Sequence, residues 1–87
     1  MKKQTSLQVL GERIRAARKA KGLSQEDLAL ASDIDRSYIG GIERGERNLS
    51  FKKLCFISWV IASDISSLCA GLPLAQEQPE ELRRKRR

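Results

Sequence analysis

Hydrophobic residues recur along this chain every three to four positions, in short segments separated by small polar residues. This spacing is typical of helices that bury one face, and no segment alternates with the two-residue period of a strand. Thr5 and Gln8 have the spacing of a capping box and open a first helix that continues to about Ala20. The residues on its apolar stripe are Leu7, Leu10, Ile14 and Ala17. The pattern therefore predicts an all-α chain.

Two shorter helices follow the first. Ser24 is the expected cap of a second helix over residues 25–31, and Asp35 is the expected cap of a third over residues 36–44, which Gly45 ends. The residues predicted to face the core are Leu28 and Ala31 in the second helix and Ile39 and Ile42 in the third. The short link between these two helices predicts a tight turn.

The last two helices precede a tail of different composition. Ser50 caps a predicted fourth helix over residues 51–62, and Asp64 opens a fifth over residues 65–70. The inward residues expected in the fourth helix are Phe51, Leu54, Ile57, Val60 and Ile61. We predict one five-helix domain over residues 1–73 and a polar, basic, flexible tail over residues 74–87, which ends in five consecutive Arg and Lys residues.

The composition argues against catalysis. The 87 residues include 17 Lys and Arg against 11 Asp and Glu, a formal net charge of +6, and no His. Without His, the common acid–base pairs and most zinc sites are excluded. Cys55 and Cys69 are too far apart for a C-x-x-C motif and have no supporting ligands. We predict no catalytic residue, no metal and no cofactor.

The chain has no feature of a secreted or membrane protein. The basic start is not followed by the apolar run of a signal peptide. The most apolar stretch, residues 54–62, is about half the length that a bilayer crossing requires. The sequence therefore predicts a protein of the reducing cytoplasm with no membrane partner.

Residues 22–45 carry the informative pattern. A capped short helix, a turn of four residues and a second capped helix are the parts of a helix-turn-helix. The second helix of this motif fits the major groove of duplex DNA and brings its first residues to the base edges. The first helix of the motif aims its N-terminal amides at a phosphate. Double-stranded DNA is therefore the expected partner.

The chain resembles the lambda-repressor-like, five-helix domains of the xenobiotic-response-element family of bacterial and phage regulators, over about residues 7–72. Residues at the spacing of that family are Arg18, the Gly-Leu-Ser-Gln sequence at positions 22–25, Leu28, Ala29, Ile39, Ile42, Glu43, Gly45 and Asn48. Residues 35–39 and 41–44 are also similar to the small controller proteins of restriction–modification systems. The resemblance implies a sequence-specific transcription regulator that acts as a homodimer on a palindromic operator.

The resemblance also implies which residues contact DNA. They are Gln25, Arg36, Ser37, Tyr38, Gly41, Arg44, Arg47 and Asn48. Arg36 and Ser37 stand at the positions that read bases, and the planar fork of Arg36 suits guanine, with about 1–3 kcal/mol of discrimination. Tyr38 either lies along the sugar–phosphate backbone or packs within the domain. Arg18 and Glu43 are expected to form a structural ion pair across the core.

Two adjacent glycines need a reason. Gly40 and Gly41 lie inside the third helix, where each costs about 1 kcal/mol relative to Ala. In the family the position of Gly41 faces the groove. Close approach to DNA and plain local flexibility are both open as explanations for Gly41.

The fourth helix is apolar on nearly all faces, which favours a partner surface. With the fifth helix it predicts a dimer interface of Cys55, Phe56, Trp59, Ile65, Leu68, Cys69 and Leu72. A thicker core closed by the tail is the alternative.

Two other functions also fit this fold. One is an antitoxin that regulates its own operon and covers a toxin, and the other is a bridging coactivator that does not read DNA. Contact with RNA polymerase through Glu46 is a further option for an activator.

Overall fold

The computed structural model describes residues 4–79 and Leu82. Within these residues there are five α-helices, one 3₁₀-helix and no strand. The elements are α1 (Ser6–Ala20), α2 (Gln25–Ser32), α3 (Arg36–Glu43), α4 (Phe51–Ile61), α5 (Ile65–Leu68) and the 3₁₀-helix (Ala75–Glu77). The prediction of an all-α, five-helix domain is confirmed.

Capping boxes begin α1 and α2. In α1, Thr5 Oγ1 accepts the amide hydrogen of Gln8 at 3.1 Å, and the Gln8 side chain accepts that of Thr5 at 2.9 Å. In α2, Ser24 and Asp27 make the same reciprocal pair, with both distances 2.9 Å. The backbone hydrogen bond from Ser24, followed by that from its hydroxyl, lowers the pKa of Asp27 below its ordinary value of 3.8. Both helix starts are therefore fixed by local side chains.

A three-residue turn joins α2 to α3. Asp33 adopts the left-handed conformation with φ 57° and ends α2. Ile34 then points into the core, and α3 begins at Arg36. Asp35 stands at the cap position, but its side chain makes no hydrogen bond to the backbone of α3 and instead accepts one from the Ser37 hydroxyl. The predicted side-chain cap by Asp35 is wrong, because Ser37 occupies its carboxylate.

One apolar core connects all five helices. Its buried members are Leu10, Ile14, Leu28, Ala29, Ile34, Ile39, Ile42, Leu54, Ile57, Ile61 and Leu68. Helices α1 and α3 approach each other closely at Gly11 of α1, where a Cβ would lie 2.4 Å from the carbonyl oxygen of Ile42 and 2.6 Å from that of Glu43. The backbones of α1 and α3 are therefore in direct contact, and no larger residue fits at Gly11.

Two predicted inward residues lie on the surface. Ala31 is exposed, and Ala29 is buried in its place, because Ala29 lies beside Leu28 on the inner face of α2. Phe51 is 70% exposed, since it lies roughly a third of a turn around α4 from the fully buried Ile57. Val60 is only half-buried.

Four helix ends differ from the sequence prediction by one or two residues. The second helix extends to Ser32, whose hydroxyl donates to the Leu28 carbonyl at 2.6 Å. The third helix ends at Glu43, and the fourth at Ile61 because Ala62 takes a left-handed φ of 53°. The fifth ends at Leu68, two residues early. Helix ends are the least determined part of a periodic pattern.

The first part of the predicted tail packs on α1. Leu74 N donates to Ser6 Oγ at 2.8 Å, and Ser6 N donates to the Glu77 carboxylate at 2.6 Å. Arg13 of α1 donates to the carbonyl oxygens of Leu68 at 3.0 Å and Ala70 at 2.7 Å. Residues 70–79, which we call the C-terminal strap, thus contact α1 at Ala70, Leu74 and Glu77, and residues 74–79 of this strap belong to the predicted flexible tail. The basic run over residues 83–87 lies outside the described residues.

No helix in the described part of the chain is both long and apolar enough for a membrane crossing.

Candidate nucleic-acid interface

The start of α3 is the outermost part of the helix-turn-helix. Arg36 and Ser37 in its first turn are exposed, whereas Ile39 and Ile42, further along the helix, are 0% and 3% exposed. Two buried isoleucines therefore hold α3 in place while its polar first turn faces solvent. A helix presented in this way can enter a groove without breaking the core.

A buried ion pair supports α3 from behind. Arg18 Nε donates to Glu43 Oε2 at 2.7 Å and Nη2 donates to Oε1 at 3.0 Å, a bidentate arrangement. Arg18 Nη1 also donates to the Leu23 carbonyl at 2.7 Å. Gln25 joins the same network, because its Nε2 donates to Glu43 Oε1 at 3.0 Å. One network therefore links α1, the last residue of α3 and the first residue of α2.

Gln25, Arg36 and Arg44 converge above the middle of α3. A Cβ placed on Gly40 would lie 3.2 Å from Arg44 Nη1, 3.4 Å from Arg36 Nη1 and 3.7 Å from Gln25 Oε1. Arg44 also pairs with Glu46 at 3.1 Å, at a site where both side chains are about 60% exposed. The structure thus brings together three of the residues predicted to contact DNA.

Two basic side chains stack on the ring of Tyr38. Its hydroxyl donates to the backbone carbonyl oxygen of Asn48, which holds the loop after α3 against the ring. The Arg47 guanidinium lies over the ring at 5.6 Å from its centroid, and Lys53 Nζ lies over it at 4.2 Å. Tyr38 is half-buried and packs on the core, so it fulfils the packing role and also orients two cations.

The sequence analysis missed the lysines of α4. Lys52 and Lys53 follow directly after the Ser50 cap, and Lys52 Nζ lies 5.8 Å from the centroid of the Phe56 ring. Both charges lie in the first turn of α4, where the Lys53 amide donates to Ser50 Oγ at 3.1 Å. Adjacent lysines directly after a helix cap are the kind of sequence signal that can indicate anion binding at a helix start.

Two predicted residues have neighbours that the sequence did not reveal. The Ser37 hydroxyl donates a hydrogen bond to the Asp35 carboxylate. A Cβ on Gly41 would lie 2.7 Å from Cγ of Arg47, so the Arg47 side chain covers Gly41. Room for the Arg47 side chain is thus a third reason for glycine at position 41, beside DNA approach and flexibility.

The predicted dimer residues divide into three groups. Trp59 is 83% exposed and Phe56 is 41% exposed. The half-buried members are Cys55, Ile65, Cys69 and Leu72. Leu68 is only 2% exposed and belongs to the core, because it packs inward from α5, so its assignment to an exposed interface is wrong. Trp59 and Phe56 form the outer apolar face of α4.

The described residues include no cluster of three or more His, Cys, Asp or Glu side chains that could hold a metal ion. Cys55 and Cys69 are free thiols in these residues. The chemistry that the site offers is that of guanidinium, ammonium, amide and hydroxyl groups on one surface. Such groups are typical partners for phosphate and for base edges.

This geometry defines a helix-turn-helix domain, and the Helix-turn-helix family profile matches residues 14–58. The chain belongs to the lambda-repressor-like helix-turn-helix family. It is 35% identical over 71 residues to control protein C.SmaI from Serratia marcescens, an alignment that covers 82% of this chain and 84% of that protein.

Solved structures give the same result. The restriction–modification controller protein C.AhdI from Aeromonas hydrophila is 45% identical, with a TM-score of 0.69 and coverage of 71% of this chain and 94% of its own. The controller protein C.Esp1396I, solved as a tetramer with its natural 35-base-pair operator, is 38% identical. It has a TM-score of 0.67, with 76% of this chain and 87% of that chain covered.

Proposed function

We propose that this protein is a sequence-specific transcription regulator that binds duplex operator DNA as a homodimer, and that it acts as the controller protein of a restriction–modification system. The observation that carries the proposal is the exposed first turn of α3 with Arg36, held rigidly by buried isoleucines and the Arg18–Glu43 pair. The operator-bound relative is 38% identical with 76% of this chain covered, which supports operator DNA as the ligand here.

Different residues would contact the base edges and the sugar–phosphate backbone of the operator. Arg36 and Ser37 face outward at the start of α3 and would read base edges in the major groove. The residues proposed to contact the sugar–phosphate backbone are Gln25, Tyr38, Arg44, Arg47, Asn48 and Lys53. Most of the affinity would come from phosphate contacts and would fall steeply with salt, whereas Arg36 would choose the site.

The homodimer would form through the outer apolar face of α4. Trp59 at 83% exposure is costly to leave in water, and aromatic residues are common anchors of interfaces. A two-fold dimer would place two copies of α3 on half-sites about one helical turn apart, roughly 10–10.5 bp. This arrangement accounts for a palindromic operator.

We also propose that the protein is a regulator without enzymatic activity and works in the cytoplasm. The surface around α3 offers binding groups and no nucleophile held beside a general base. The relatives named above are control and controller proteins, which supports the regulator over the antitoxin and the bridging coactivator.

The test is a selection from a randomised duplex library with the full chain, followed by fluorescence anisotropy on the selected duplex and a scrambled duplex at two salt concentrations. We expect tighter binding to the selected duplex by at least about a thousandfold at physiological salt. Lys19→Ala, at an exposed lysine on α1 outside the interface, should change both affinities little. A protein that enriches no sequence from the library and binds unrelated duplexes with equal affinity would contradict the proposed sequence-specific regulator.

A further inference from the structure

Gly40 has surroundings unlike those of its neighbour Gly41. The space that a Gly40 Cβ would fill is bordered by the ends of three long side chains, those of Arg36, Arg44 and Gln25, at 3.2–3.7 Å. At Gly41 the nearest atom is the Arg47 Cγ at 2.7 Å. The three atoms nearest to that space thus belong to long side chains that can move away when they bind something else.

The three positions 36, 40 and 44 lie on one face of α3, because residues four apart stack on a helix. Two guanidinium groups thus lie over the same stretch of backbone. Arg44 has a partner in Glu46, whereas Arg36 makes no ion pair with another described residue. Like charges at short range repel, so an acceptor-rich group that draws the two arginines apart is favoured at this position.

We propose that Gly40 is an affinity- and specificity-determining residue, because its missing side chain forms a notch that receives one strand of duplex DNA. When Arg36 extends to a base edge and Arg44 to a phosphate, the deoxyribose–phosphate segment between them lies against the α3 backbone at Gly40. This inference rests on the proposed DNA-binding function. It assigns to Gly40 the close approach that the sequence suggested for Gly41.

The notch explains why the chain keeps a glycine where alanine would favour the helix. In the unbound protein, Ala at position 40 needs only a shift of flexible guanidinium groups and would strengthen α3. In the complex, the added methyl group would occupy the space of the DNA strand. Stability and binding are therefore expected to change in opposite directions, which a purely structural role of Gly40 would not produce.

The first experiment compares Gly40→Ala with the wild-type chain on the library-selected duplex. We expect a higher urea midpoint for unfolding and at least tenfold weaker binding. Ala16→Ser, which adds one atom at an exposed position of α1, should leave binding unchanged and lower the urea midpoint slightly, because Ser is a weaker helix former than Ala. Wild-type affinity in the Gly40→Ala variant would overturn the inference and leave the proposed function intact. A wild-type protein without selective binding to any duplex would overturn both.

A double-mutant cycle separates contact with DNA from displacement of Arg44, the nearer of the two arginines. Gly40→Ala is combined with Arg44→Ala and measured at low salt, where the remaining phosphate contacts keep binding measurable. If the methyl group itself meets the DNA strand, the loss of at least tenfold persists without Arg44. A loss that disappears in the Arg44→Ala background would show that Gly40 acts only through the arginine, and would refute the notch.

Discussion

Arg36 is the residue whose removal should change specificity more than affinity. It is exposed, makes no ion pair within the described residues and stands in the first turn of α3. We expect Arg36→Ala to lose about 1–3 kcal/mol on the selected duplex and to discriminate poorly at one base pair. Anisotropy with duplexes changed at single positions measures this effect.

Arg47→Ala is the matched comparison, because Arg47 lies over the Tyr38 ring and is proposed to contact phosphate. It should weaken binding to selected and scrambled duplexes by the same factor. If Arg36→Ala also weakens both duplexes equally, Arg36 does not read a base.

The Arg18–Glu43 pair should matter for folding before it matters for DNA. Both side chains are nearly buried, so Arg18→Met leaves a buried carboxylate without its cation and should cost about 3–5 kcal/mol of unfolding free energy. Urea unfolding measures this loss. The double variant Arg18→Met with Glu43→Leu should regain part of it, and a loss below about 1 kcal/mol in the single variant would contradict a structural role.

For single residues, the sequence predicted the position correctly where it depends on nearby residues or on the family pattern. The positions of Arg36, Arg18 and Glu43 agree with the geometry expected of them. The stacking of Lys53 on Tyr38 was missed, because it depends on how α4 is placed against α3. The inward direction of Leu68 likewise follows from the packing of α5, which a four-residue helix does not reveal by its period.

Two glycines at helix ends allow the steric cost of an added side chain to be separated from the cost of a left-handed backbone. Gly22 and Gly45 have nearly equal φ values of 73° and 75°. A Cβ on Gly22 would meet nothing within 4 Å, whereas one on Gly45 would lie 2.6 Å from Gln8 Cα. Gly22→Ala should cost only the left-handed penalty of about 1–2 kcal/mol. Gly45→Ala should exceed it by at least about 1 kcal/mol in urea unfolding, and equal losses would contradict the contact with α1.

The capping box of α2 predicts a dependence of stability on pH. The pKa of Asp27 is lowered in the folded chain by the Ser24 amide, so the charged carboxylate stabilises the fold above about pH 3.8. That contribution is lost as the pH falls through the folded pKa. We expect Asp27→Asn to be less stable at about pH 6, with a difference that shrinks toward about pH 3 in urea titrations. A difference independent of pH would exclude the carboxylate as its source.

Helix starts were predictable here because caps are local. Thr5, Ser24 and Ser50 each accept a hydrogen bond from the backbone three residues on, as their sequence spacing indicates. The ends of α3, α4 and α5 were not fixed in this way. The left-handed Ala62 carries no local signal, because alanine is a good helix former.

The whole molecule should dimerise through α4 if the proposal is right. Trp59→Lys removes the most exposed aromatic of that face and should weaken the dimer at least tenfold in sedimentation equilibrium. Its effect on protomer stability should be within about 0.5 kcal/mol, since the side chain is exposed. Leu30→Lys is the matched control, because Leu30 is also 83% exposed but lies on α2. A dimer weakened by Leu30→Lys and not by Trp59→Lys would move the interface to α2.

Long-range contacts were the least predictable feature of the fold. The C-terminal strap lies against α1 through Ser6 and Glu77, whose hydrogen bonds join opposite ends of the printed sequence. A polar segment rich in Gln, Glu and Pro has the composition of a flexible tail. Only the position of Ser6 in the folded domain gives Glu77 a partner.

The contact at Gly11 has a consequence for how operators are chosen. With the backbone of α1 against the carbonyl oxygens of Ile42 and Glu43, α3 cannot tilt or slide without moving α1 as well. If α3 keeps its position in the domain, the fit at the interface must come from the duplex, which can bend or change its groove width. We therefore expect flexible pyrimidine–purine steps between the two half-sites to favour binding, although no side chain touches them.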